Sequence, residues 1–195
     1  YNGGTNWTSV IGDLTNMSEF TDVAVTTGGV VYATGSFTAG GQLSGIKRST
    51  DGENFVDITP PAFPPSYGRI VIELAPSNQN VLYVSVHGVP PGTPGAVNNH
   101  MFWKYTYISG NGTGTGGTWE NRSANLPQLN QNNYGNFNEP FDTQGGYDLD
   151  ITVKPDNENF VVLGAVNLYV STDGFATINN AKRIGGYQPA SENGT

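Results

Sequence analysis

The chain has 195 residues and a formal charge of −8, with eight Lys and Arg against sixteen Asp and Glu, and it contains no cysteine. So few cations disfavour nucleic acid and anionic membrane surfaces as partners, since both are bound by neutralising phosphate, and the lack of thiols excludes a disulfide framework or a Cys-ligated metal. No run of 18 apolar residues occurs, so no membrane insertion is expected, whereas 36% hydrophobic and 11% aromatic residues suffice for a core.

Charged residues make up only 12% of the chain, and 27 glycines are about twice the usual share. No long segment has helical periodicity. This is the composition of an all-β protein with many turns. Residues 1–14 read as the end of a sheet: a turn, then a strand over 7–11 opened by Trp7. A first full unit spans 20–61, with apolar stretches at 21–25 and 30–35, a Gly-rich connection, a short strand at 46–48, a turn, and a closing strand at 55–59. Pro60 and Pro61 end it.

The second unit, 69–127, repeats the plan with strands over 69–75, 81–86, 101–107 and 119–123. The glycine- and threonine-rich stretch 110–117 occupies its last turn. It lacks the following helix and the lysine that a phosphate loop needs, so it reads as a hairpin tip. The third unit, 147–184, opens on a strictly alternating stretch, 147–153, that puts Tyr147, Leu149, Ile151 and Val153 on one face and Asp148 and Asp150 on the other. Residues 185–195 lead out of it.

One turn recurs. Ser49-Thr50-Asp51-Gly52-Glu53-Asn54-Phe55 and Ser171-Thr172-Asp173-Gly174-Phe175 follow short apolar strands, and a variant runs from Asn2 to Trp7. Gly supplies positive φ, while Ser and Asp bond their own backbone one or two residues on. Asp51 and Asp173 are therefore read as turn-locking residues, with each closing aromatic starting the next strand. The closing positions Trp7, Phe55, Trp119 and Ile178 are 48, 64 and 59 residues apart, a period that suits four-stranded propeller blades with loop insertions.

This turn resembles the Asp-box, Ser-x-Asp-x-Gly-x-x-Trp, of sialidase-like and sortilin-like β-propellers. The copy at Asn2 lacks the opening Ser, the copy at Ser49 reaches Phe55 one residue early, and the copy at Ser171 has Phe175 in place of the second Gly. The resemblance covers essentially the whole chain. It implies about three four-stranded antiparallel blades plus part of a preceding one, cut from a longer propeller whose remaining blades would be its partners. The plan is also similar to the propeller halves of bacterial xyloglucanases and of secreted Bacteroidota surface proteins, which implies an extracellular or cell-surface location.

Candidate sites are few. The polar stretch 130–150 interleaves Tyr134, Phe137, Phe141 and Tyr147 with amides and carboxylates, the chemistry of a sugar platform. Tyr134, Phe137, Phe141, Asp148 and Asp150 are the expected ligand-binding residues. The same residues fit a polar loop with its aromatics tucked beneath it. A carboxylate pair would also serve glycoside hydrolysis. His87 and His100 flank a long loop and can meet across its mouth, but no carboxylate lies between them, and neither a metal nor a cofactor is expected. No Gly-x-Ser-x-Gly elbow is present, and no catalytic residue of the resembled families maps onto the chain. The expectation is a module that binds glycan or protein; the rival is part of a glycoside hydrolase acting on β-glucan-type polysaccharide.

Overall fold

The structure is a computed structural model that describes residues 4–12, 20–36, 44–127 and 141–186. Its strands form three separate four-stranded antiparallel sheets, each a simple meander in chain order. The first sheet holds β1 (Phe20–Val25), β2 (Val31–Gly35), β3 (Gly45–Ser49) and β4 (Phe55–Asp57). The second holds β5 (Ile70–Leu74), β6 (Val81–His87), β7 (His100–Tyr107) and β8 (Gly117–Asn121). The third holds β9 (Asp150–Val153), β10 (Val161–Gly164), β11 (Asn167–Ser171) and β12 (Ala181–Gly186).

The sheets stand side by side as blades of a partial β-propeller. Their first strands are neighbours, β1 against β5 and β5 against β9. The backbone N–H of Ile70 donates to Thr21 Oγ1 (3.2 Å) and that of Ile72 to Asp22 Oδ2 (2.8 Å). Side chains of one blade thus satisfy backbone donors on the exposed edge of the next, which caps that edge without continuing the ladder.

Burial follows from this stacking. In the middle blade β6 is buried at six consecutive positions. Leu82, Val84 and Val86 pack toward the first blade with Tyr32, Ile46 and Ile58. Val81 and Tyr83 pack toward the third with Ile151, Leu163, Tyr169 and Phe175. A strand covered on both faces reads as a continuous apolar run. In the flanking third blade β9 alternates exposed and buried, the pattern of a sheet covered on one side. No blade hides its apolar surface alone.

The junctions also carry polar links. Arg48 on β3 donates to the Asn111 carbonyl (3.2 Å) in the last turn of the second blade, with its guanidinium 4.3 Å from the Tyr107 ring centre. Arg122, just after β8, reaches the corresponding turn of the third blade and donates to the carbonyls of Gly174 (2.7 Å) and Asp173 (3.2 Å). Tyr83 donates to the Glu158 carbonyl at 3.0 Å.

The two Ser-Thr-Asp-Gly turns join the third and fourth strands of their blades and share a wiring. Ser49 Oγ accepts from the N–H groups of Asp51 and Gly52, and Asp51 Oδ1 accepts from those of Glu53 and Asn54. Ser171 Oγ accepts from Asp173 and Phe175, and the Asp173 carboxylate from Ala176 and Thr177. Hydrogen bonds hold both Asp carboxyls below their usual range: for Asp51 the Asn54 side chain is the largest influence, while for Asp173 burial, which pushes the carboxyl up, is outweighed by bonds from the Thr177 and Ser171 hydroxyls and from backbone N–H groups. In the second turn Gly174 and Phe175 both have positive φ (65° and 60°), and Phe175 is driven into the core.

Three expectations are corrected. Residues 7–11 form no strand, and Trp7 is 89% exposed; no strand among the described residues pairs with that segment, so an extended conformation there gains no ladder. The alternating stretch begins its strand at Asp150 and not at Tyr147. Residues 144–148 turn instead, because Gln144, Gly145 and Gly146 all take positive φ and the Gly146 and Asp148 N–H groups both donate to the Thr143 carbonyl. In the third blade the position expected to close the turn, Ile178, lies in a 3-10 turn ahead of β12.

Candidate functional site

The three first strands line one groove of about 400 Å³. Each contributes a carboxylate: Asp22 from β1, Glu73 from β5 and Asp150 from β9. Asp22 and Glu73 are single acids in otherwise largely apolar strands. The side chain of Asp22 is fixed, its two oxygens accepting from the N–H groups of Val23 and Ile72, both at 2.8 Å. Glu73 alternates with Ile72 and Leu74 and so points to the opposite side of β5 from these core residues.

Burial pushes the Glu73 carboxyl above its ordinary value, and the negative charges of Asp150 and Asp22 push it further. Desolvation and like charge both favour the protonated form. The rest of the groove is mixed, with Val25, Leu74 and Ile151 as apolar wall and Gln79 as a polar end. Gln79 Oε1 accepts from the N–H (2.8 Å) and hydroxyl (2.9 Å) of Thr27, tying the first turns of two blades together. The groove therefore offers hydrogen-bond acceptors, one carboxyl biased toward keeping its proton, and apolar surface.

The residues expected to bind ligand are dispersed. Asp150 lines the groove. Asp148 is exposed in the turn before β9, so the two acids do not share a strand face. Phe141 is fully buried, edge-on to His100 (5.1 Å) and packed on Tyr169 (5.9 Å); it is a core residue and offers no sugar platform. Tyr134 and Phe137 lie outside the described residues, as does Asn2. Sequence reading missed Asp22 and Glu73, whose signal is a lone acid interrupting an apolar strand.

His87 and His100 do meet. They are register partners across β6 and β7, and their rings touch through His87 Nδ1 and His100 Nε2 at 3.1 Å. Thr143 Oγ1 lies 2.8 Å from the His100 nitrogen and 3.1 Å from that of His87. Burial lowers both imidazoles below their ordinary value, and for His100 the neighbouring His87 adds to it.

No family model matches the chain, and no curated protein matches it. Among solved structures it is similar to the Niastella koreensis GH74 enzyme, with 22% identity and a TM-score of 0.44. That match covers 83% of this chain and 20% of the other, so the chain spans about a fifth of the neighbour's length.

Proposed function

We propose that this chain is a segment of a secreted or cell-surface β-propeller whose central groove binds a glycan. The observation that carries the reading is the convergence of Asp22, Glu73 and Asp150 on one groove with apolar walls. Sugar hydroxyls donate to carboxylates, while sugar C–H faces pack on apolar surface. A neutral ligand suits the site because the chain already carries −8; an anionic one would be repelled. A protein ligand would need a basic patch to match. The extracellular location rests on the sequence resemblance alone. The shared wiring of the Ser49 and Ser171 turns supports their reading as Asp-boxes. Exposed apolar residues of the third blade outside the groove, Leu168 and Ile184, support a further blade in the full-length protein.

A second reading is favoured by Glu73. A carboxyl whose pKa is raised by burial and by two neighbouring carboxylates has the bias a glycosidase acid needs beside a base or nucleophile. In that case the substrate would be a β-glucan-type polysaccharide. The two readings separate in one experiment on the full-length protein: a glycan array, with reducing-sugar release measured on the same polysaccharides. Binding without release, weakened at least tenfold by Glu73→Gln or Asp150→Asn, supports the module. Release abolished by either substitution supports the hydrolase. Binding indifferent to both substitutions removes the groove from the account.

A further inference from the structure

We propose that His87, His100 and Thr143 form a binding site for a divalent transition-metal ion of the zinc class. The three ligand atoms form a compact triangle, with His87 Nδ1 to His100 Nε2 at 3.1 Å and Thr143 Oγ1 at 3.1 and 2.8 Å from them. An ion about 1 Å off the plane of that triangle would lie about 2 Å from each atom, the bond length zinc makes to imidazole nitrogen. Among the described residues no third His, Cys, Asp or Glu converges here. The protein therefore supplies two imidazoles and a hydroxyl and leaves the remaining positions to water. The negative charge of Asp142 acts on both rings and would favour a cation.

The fold holds these groups in place without a metal. His87 and His100 are fixed opposite one another by strand register. The His100 ring is 1% exposed and stands edge-on to Phe141. The backbone of Gly146 lies against the His87 ring, where a Cβ would come within 3.0 Å of it. Two imidazole nitrogens at 3.1 Å share a single proton, since two N–H groups cannot point at each other. A metal ion takes the place of that proton, which moves to the far nitrogen of the same ring, and burial keeps both rings in the neutral form that ligates. The third ligand comes from Thr143, 43 residues beyond His100, which is why the interval between the histidines gives no hint of the site.

The test is calorimetric titration of the intact, untagged chain with zinc chloride at pH 7.5, with excess magnesium present to occupy surface carboxylates. One zinc ion per chain is expected, bound at least tenfold more weakly by His87→Gln, a substitution at a half-buried strand end. The chain has only two histidines, so proton NMR of the unmodified protein gives a readout independent of variant folding. Both imidazole signals should move or broaden as zinc is added. Imidazole signals unmoved at saturating zinc, or zinc uptake equal in His87→Gln, would overturn the site.

Discussion

Removing the guanidinium of Arg122 should loosen the junction between the second and third blades. Arg122 is 6% exposed and donates to the Gly174 and Asp173 carbonyls at 2.7 and 3.2 Å. Arg122→Met keeps the length of the stem and deletes the donors. A hydrogen bond from a charged group contributes about 1.5–3 kcal/mol, and the longer of these two sits at the low end. The ion pair to Glu120, whose side chain is half exposed, adds at most about 1 kcal/mol. The van der Waals packing of the stem is largely retained. The expected loss is about 3–5 kcal/mol, which for a chain of this size lowers Tm by roughly 6–20 °C. Urea denaturation gives the first number and a thermal melt the second. Arg122→Lys should fall between, because one ammonium cannot fork to both carbonyls. Amide exchange at Phe175 should accelerate in the Met variant, since the turn that Arg122 holds is the one that buries it. A loss below 1 kcal/mol with unchanged exchange at Phe175 would refute the idea that the arginine fastens one blade to the next.

Other consequences follow from the same geometry. Gly174→Ala should cost about 3 kcal/mol and Gly52→Ala about 1 kcal/mol by urea denaturation: both have positive φ, but a Cβ at 174 meets the Tyr83 hydroxyl and Arg122 Nη1 while the space at 52 is open. Equal costs would contradict the packed junction. Glu73→Gln should raise Tm at pH 7 and give no gain at pH 4. The folded carboxyl keeps its proton above the unfolded value of 4.5, so stability is lost as pH rises through the folded pKa. Acidification should have the opposite effect through the histidines. Their folded pKa lies below the unfolded value of 6.5, so their contribution is complete above that value and is lost as pH falls below it. The double variant His87→Gln/His100→Gln should flatten the fall of Tm as pH drops below 6.5.

The blades were legible because each repeats a strand order and a turn chemistry that local sequence dictates. The Ser49 and Ser171 turns are wired within seven residues, and the apolar runs at 70–74 and 81–87 are long enough to read directly. What lay across junctions was not legible. Asp22 and Glu73 meet Asp150 only because three first strands are neighbours, and nothing local to any of them encodes that. Phe141 looked like a ligand platform because it sits in a polar stretch, but its fate is set by His100 and Tyr169 from two other strands. The same holds for Thr143, which joins the two histidines from a segment far along the chain. At 147–149 the apolar alternation predicted a strand, and the turn set up by three successive positive φ values at 144–146 overrode it.

The most direct test of the functional account is a two-dimensional amide NMR titration of this chain with a panel of neutral oligosaccharides. The account predicts that a binding sugar perturbs the groove, residues 22–25, 71–74 and 150–151, and that Glu73→Gln weakens the effect. Perturbations confined to the outer hairpin tips, near 51–54 or 110–116, with the groove silent would contradict it.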